Sequence, residues 1–205
     1  PKRDWSSDVC SSDLGPDWRK RRPGQPFFAQ VQLKHPHRPF VNEPVTEARH
    51  RDAPLPPIYP DHPLARRDWA GYLQSIEALD AMVGEVLAAL DREGAAQDTI
   101  VMFFGDNGRP HVRDKQWLYD GGLHVPLIVR WPGRVAPATV REELVSLVDL
   151  APTCLRLAGL AVPTVMQGVP FLPQQSPRRE FVVGDRKSTR LNSSHVSESR
   201  MPSSA

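Results

Sequence analysis

Thr99-Ile100-Val101-Met102-Phe103-Phe104-Gly105-Asp106-Asn107-Gly108 is the stretch whose reading decides the fold. A β-branched and aromatic run stops at an acid and an amide set between two glycines. A continuous apolar run of this length reads as a strand buried on both faces, as in a parallel sheet. In open α/β sheets ligands sit outside the carboxyl ends of such strands. Asp106 and Asn107 therefore fall where chemistry is normally done, and their hard oxygens suit Ca²⁺ or Mg²⁺.

Working outward, Pro26–Leu33 (PFFAQVQL) reads as a second buried strand, ended by the prolines of HPHRP at 35–39, which cannot continue a central ladder. Phe40–Pro63 is a proline-rich loop long enough to serve a function. Arg66–Arg92 reads as a helix, because Tyr72, Ile76, Leu79, Val83, Val86 and Leu90 recur at helical spacing. Asp61 is its expected N-cap, Pro63 a first-turn proline and Gly94 its C′ glycine. Val125–Trp131 (VPLIVRW) reads as a strand closed by Pro132-Gly133. Asp149–Leu157 reads as a short helix with Asp149 as N-cap. The order implies an α/β fold, with part of a mostly parallel sheet flanked by helices.

Both ends stand apart. Arg3–Leu14 (RDWSSDVCSSDL) and Asp185–His195 (DRKSTRLNSSH) can be encoded by opposite strands of one DNA sequence, and that DNA looks like a sequencing-library adapter. Residues 1–14 and 187–205 are therefore expected to be adapter-derived and disordered, and 15–186 to be the native span, with Asp185 and Arg186 assignable to either source. The first fourteen residues carry −1 and residues 185–205 carry +2 of the chain's +2, which leaves +1 on 15–184. So even a balance argues against a nucleic-acid surface. Cys154 is then the only native cysteine and no internal disulfide is expected. No apolar run is long enough to span a membrane. The 22 prolines imply long irregular connections that a scaffold must hold.

Three sites lie at or after expected strand ends: His37, the Asp106–Asn107 pair, and Lys115 with Tyr119-Asp120-Gly121-Gly122. Taken singly, each has an ordinary reading as a loop histidine, an Asn-Gly turn and a solvated lysine. Their order along the chain resembles that of the sulfatase family, a branch of the alkaline-phosphatase-like superfamily. PFFAQVQLKHPHRPF is similar to the family's strand ending in Pro-His. YLQSIEALDAMVGEVLAALDREG with DTIVMFFGDNG resembles its helix and metal-binding strand. DKQWLYDGGLHVPLIVRWPG resembles its lysine segment and next strand, and LVDLAPTCLRLAGL with GVPFLP the helix and loop that follow. PHRPF, DNGRP and YDGG look most like the heparan N-sulfatase (sulfoglucosamine sulfohydrolase) type.

The resemblance implies Ca²⁺ ligation by Asp106 and Asn107, sulfate contact and leaving-group protonation by His37, and binding of a sulfate oxygen by Lys115. It implies no role for His35. Gly105 stands where Ser or Thr is common, and Asp120 where Glu is more frequent. A cation and a lysine would stabilise the charge that builds on the oxygens during attack at sulfur. The family nucleophile is a formylglycine made from Cys/Ser-x-Pro-x-Arg, a motif this chain lacks, and a further pair of calcium-binding aspartates is also missing. The full gene is thus expected to encode a sulfatase acting on a small-molecule or glycan sulfate, and this polypeptide to be inert. Secretion or a periplasmic location follows from the resemblance alone. Phe40–Pro60 is the candidate substrate-reading loop, with Arg38, Arg109 and Arg113 as candidates for a second anionic group. The rivals are a metal-dependent phosphodiesterase or phosphonate hydrolase of the same superfamily, a non-catalytic Ca²⁺-binding module, and a chain left unfolded by unpaired strand edges.

Overall fold

A computed structural model describes residues 9–11, 18–22, 24–40, 51–173 and 179–184. The chain divides into two units, Pro1–Thr99 and Ile100–Ala205.

In the first unit, β1 (Val9–Ser11) pairs antiparallel with β2 (Ala29–Val31), Cys10 opposite Gln30. β1 falls within the end expected to be adapter-derived. The rest of that end, 1–8 and 12–14, lies outside the described residues, as do 187–205 and residues 41–50 of the Phe40–Pro60 loop. The expected strand 26–33 is regular only over its three central residues.

The helix α1 runs from Pro63 to Arg92. It begins a turn earlier than the apolar periodicity indicates, since Pro63 needs no partner for an N–H at the first helical position. The cap differs from expectation. His62 is the N-cap, its Nδ1 accepting from Leu64 N at 3.2 Å. Asp61 instead forks onto Arg66, with Nη2 donating to Oδ2 at 2.9 Å. That guanidinium holds the exposed Asp61 carboxyl below its usual range. Gly94 follows the helix at φ +64°, the left-handed conformation expected of a C′ glycine.

The core of this unit gathers Ala53, Trp69, Ala70 and Tyr72, with Phe40, Leu55, Tyr59, Leu73 and Ile76 packed around them. Trp69 lies 5.0 Å from the Tyr72 ring and 5.7 Å from the Tyr59 ring. Burial of each such side chain contributes about 1.5–3 kcal/mol. The apolar stripe is only partly covered: Tyr72 and Leu90 are buried, whereas Ile76, Leu79, Val83 and Val86 are half-buried.

The second unit opens with β3 (Val101–Phe104), antiparallel to β4 (Leu127–Arg130), Val101 opposite Arg130 and Phe104 opposite Leu127. Both strand pairings among the described residues are antiparallel. A parallel neighbour needs a crossover of a dozen or more residues, usually helical. The return from β3 to β4 contains only α2 (Asp120–Leu123), a single turn. Nor is β3 covered on both faces: Phe104 is exposed, as is its neighbour Ile128.

After β4 a 3₁₀ turn, Leu147–Asp149, leads into α3 (Leu150–Leu157). Asp149 precedes α3 but does not cap it with its side chain. Its carboxylate accepts instead from Ser146 N, from Val169 N and from Arg179 Nη2, each at 2.8 Å. Thr153, fully buried, donates to Asp149 O at 2.6 Å and accepts from Phe171 N at 3.1 Å. These bonds bring 168–172 back onto α3, and Phe171 and Leu172 are buried there. Among the described residues no helix is long and apolar enough to cross a membrane.

Candidate active site

In the first unit a turn after β2 carries His37. Its backbone N donates to Lys34 O at 2.9 Å, and the flanking bonds His35–Pro36 and Arg38–Pro39 are cis. The imidazole is exposed, and its Nδ1 donates to the Arg38 carbonyl, which can only accept. Nε2 is then the nitrogen left for proton exchange. Arg38 forks onto Asp68 of α1, with Nη1 2.8 Å from Oδ1, and its guanidinium lies 4.3 Å over the Phe40 ring. The Asp68 hydrogen bond raises its pKa.

In the second unit Gly105 N donates to Pro126 O at 3.1 Å, extending the β3–β4 ladder by one step. The chain then turns out, leaving Asp106 and Asn107 exposed. Asn107 Nδ2 donates to Gly108 O at 2.9 Å, so Oδ1 remains as an acceptor. Eight residues past Asn107, Lys115 folds back onto Arg109. Its backbone N donates to Arg109 O at 2.8 Å. The structure thus gathers Asp106, Asn107 and Lys115 into one loop, while His37 belongs to the other unit.

Two features of this loop escaped the sequence reading. Asp114 is 1% exposed and accepts from Arg109 Nη2 at 3.0 Å. Arg113 and Gln116, one on either side of Asp114–Lys115, have φ of +68° and +75°. Such left-handed non-glycine residues cost about 1–3 kcal/mol each and persist only where the surroundings impose them. No local pattern marks a buried acid in a polar loop. The nearest signal is the Gly121-Gly122 pair, because a Cβ on Gly121 would overlap the Asp114 carboxylate.

The arginines proposed to read a second anion all have other contacts. Arg38 holds Asp68, Arg109 holds Asp114, and Arg113 lies 4.5 Å over the Tyr119 ring, which itself stacks with Trp117. Cys154 is a free, half-buried thiol whose pKa is raised by burial, the opposite of what activates a nucleophile.

The donor chemistry of Asp106 and Asn107 fits a hard cation, as both present oxygens at an exposed turn. Two side chains supply only part of the roughly six to eight oxygens Ca²⁺ takes. Among the described residues no group of three acidic, histidine or cysteine side chains gathers to complete such a shell.

The Sulfatase family profile matches residues 6–160, starting within the end expected to be adapter-derived. An ulvan-active sulfatase of Formosa agariphila is 31% identical over 80% of this chain and 34% of its own length. The N-acetylgalactosamine-6-sulfatase of Canis lupus familiaris is 33% identical over 60% of this chain and 26% of its own. A solved structure of a protein with its substrate D-glucosamine-2-N,6-O-disulfate shares 26% identity and a TM-score of 0.51, over 63% of this chain and 28% of that one. The chain spans about a quarter to a third of the length of these two curated relatives. Their names cover several substrates and do not single out the heparan type. The fold is that of the alkaline-phosphatase-like α/β proteins, and the chain belongs to the sulfatase family.

Proposed function

We propose that the whole protein of which this chain is part hydrolyses a sulfate ester or sulfamate on a glycan or small molecule. Water is consumed, the S–O or S–N bond breaks, and an alcohol or amine leaves with inorganic sulfate. The observation that carries this reading is the return of Lys115 N onto Arg109 O, which ties the lysine segment to the residue two past Asn107, in the loop where Asp106 and Asn107 stand exposed at a strand end.

Asp106 and Asn107 Oδ1 would hold Ca²⁺, whose charge stabilises the sulfate oxygens as negative charge builds on them. Lys115 binds one of those oxygens. His37, with Nδ1 committed to the Arg38 carbonyl, delivers a proton from Nε2 to the departing oxygen or nitrogen. The formylglycine nucleophile belongs to a Cys/Ser-x-Pro-x-Arg segment that this sequence does not contain, so the 205-residue chain alone is inert. A secreted or periplasmic location goes with this reading.

The test is turnover of an aryl sulfate by protein expressed from adapter-free DNA, beside the 205-residue chain. The intact protein should hydrolyse it with Ca²⁺ present, and His37→Ala should lower kcat by about 10²–10⁴-fold. Intact protein without a Cys/Ser-x-Pro-x-Arg segment, or turnover by the short chain above its own His37→Ala control, defeats the reading.

A further inference from the structure

We propose that Asp114 is a positioning residue, whose buried carboxylate holds Lys115 in register with the Asp106–Asn107 turn through its ion pair to Arg109. The inference rests on the sulfate-binding role given to Lys115 above, and its test separates the two.

Four observations converge on one short loop. Asp114 is almost wholly enclosed, and its carboxylate takes the Arg109 guanidinium at 3.0 Å. A buried carboxylate is stable only when paired, so the pair fixes where residue 109 lies relative to 114. Arg109 O accepts from both His111 N and Lys115 N, each at 2.8 Å, and Asp114 O accepts from Trp117 N at 3.0 Å. Arg109 is two residues past Asn107, so the salt bridge and the Lys115–Arg109 backbone bond tie the lysine segment to the turn that bears the oxygens.

Glycines close the arrangement from the other side. Gly108 lies so close to Gly121 and Gly122 that a Cβ would come within 2.6 Å of the Gly122 Cα, and a Cβ on Gly122 would run into Asp114 O and Trp117 O. Finally, the left-handed residues Arg113 and Gln116 bracket Asp114–Lys115. Two unfavourable backbone conformations on either side of one buried acid imply that this acid holds the bend in place. The side chain that touches sulfate is Lys115; Asp114 acts through it.

The experiment uses the 205-residue chain and two readouts, amide hydrogen exchange at Lys115 and titration with inorganic sulfate. In Asp114→Asn, exchange at Lys115 should rise at least about tenfold and sulfate affinity should fall about tenfold, the lower end of what loss of a supporting partner costs a ligand group. Thr153→Val, which weakens the same unit elsewhere, should change neither. Arg109→Lys keeps a cation for Asp114 and should retain most of the protection, whereas Arg109→Met should lose it. An unprotected Lys115 amide in the unsubstituted chain, or protection in Asp114→Asn equal to the parent's, overturns the proposal. If Asp114→Asn frees Lys115 and the parent does not bind sulfate, the positioning role stands and the sulfate assignment falls.

Discussion

Two carboxylates of the second unit are almost equally buried, Asp114 at 1% and Asp149 at 2% exposure, and each is paired with an arginine. Their surroundings differ. Asp149 draws donors from far along the chain: Val169 N lies 20 residues away and Arg179 30 residues away. Asp114 takes its guanidinium from five residues back, with Arg109 one-third exposed. One acid therefore closes long stretches of chain around α3, and the other shapes a single loop. Equal burial does not mean equal reach.

The largest expected effect breaks the first of these. Asp149→Ala removes a carboxylate that satisfies two backbone N–H groups and a guanidinium, and should cost about 3–5 kcal/mol. Denaturant unfolding followed by tryptophan fluorescence measures it. A loss under about 1 kcal/mol would show that Asp149 reaches no further than Asp114 does. Hydrogen exchange sharpens the contrast. Asp149→Ala should raise exchange across the whole second unit, whereas Asp114→Asn should raise it within 105–124 only.

A smaller change tests the loop. Gly108→Ala places a methyl group against Gly121 and Gly122, and overpacking of this kind costs about 1–3 kcal/mol. Its exchange signature should stay local, and spread to α3 would show that the loop and the α3 region are one cooperative unit. Next, Thr153→Val leaves Phe171 N without its acceptor and should cost about 1–3 kcal/mol by thermal unfolding.

The smallest effect concerns the rim of the Asp149 region, where Glu143 forks onto Arg141. That guanidinium lowers the Glu143 pKa below its ordinary 4.5. A carboxyl lowered in the folded state contributes stability above its unfolded pKa and loses it as pH falls through the folded one. Glu143→Gln should thus lower Tm slightly at neutral pH, and the difference from the parent should vanish well below pH 4.5. A difference that persists there would mean the glutamate acts by packing.

Local patterns in the sequence carried the local structure. The 3.6-residue recurrence from Tyr72 to Leu90 and the stop at Gly94 gave α1, and the abrupt end of 99–104 gave the turn that bears Asp106 and Asn107. Partners distant in sequence were not legible. Nothing local says that β3 pairs antiparallel with β4, because register and direction come from how the loop between them closes. Asp61 and Asp149 both read as caps by position, yet Arg66 draws the first aside and Val169 and Arg179 engage the second. Asp114 sits in a polar run where burial has no periodic signature. Of the candidate site, the exposed turn of Asp106 and Asn107 was legible from the end of 99–104, and the pairing of Asp114 with Arg109 next to Lys115 was not.

The forked contact between Arg38 and Asp68 carries one more consequence. The turn bearing His37 is fastened to the N-terminal third of a helix by that fork, and by Phe40, whose ring meets Tyr72 edge-on at 5.9 Å. The His37 imidazole is therefore carried by a turn anchored on a 30-residue helix rather than by a free loop. Substitutions in the helix that shift Asp68 or Tyr72 thus reach the His37 turn without touching its ring.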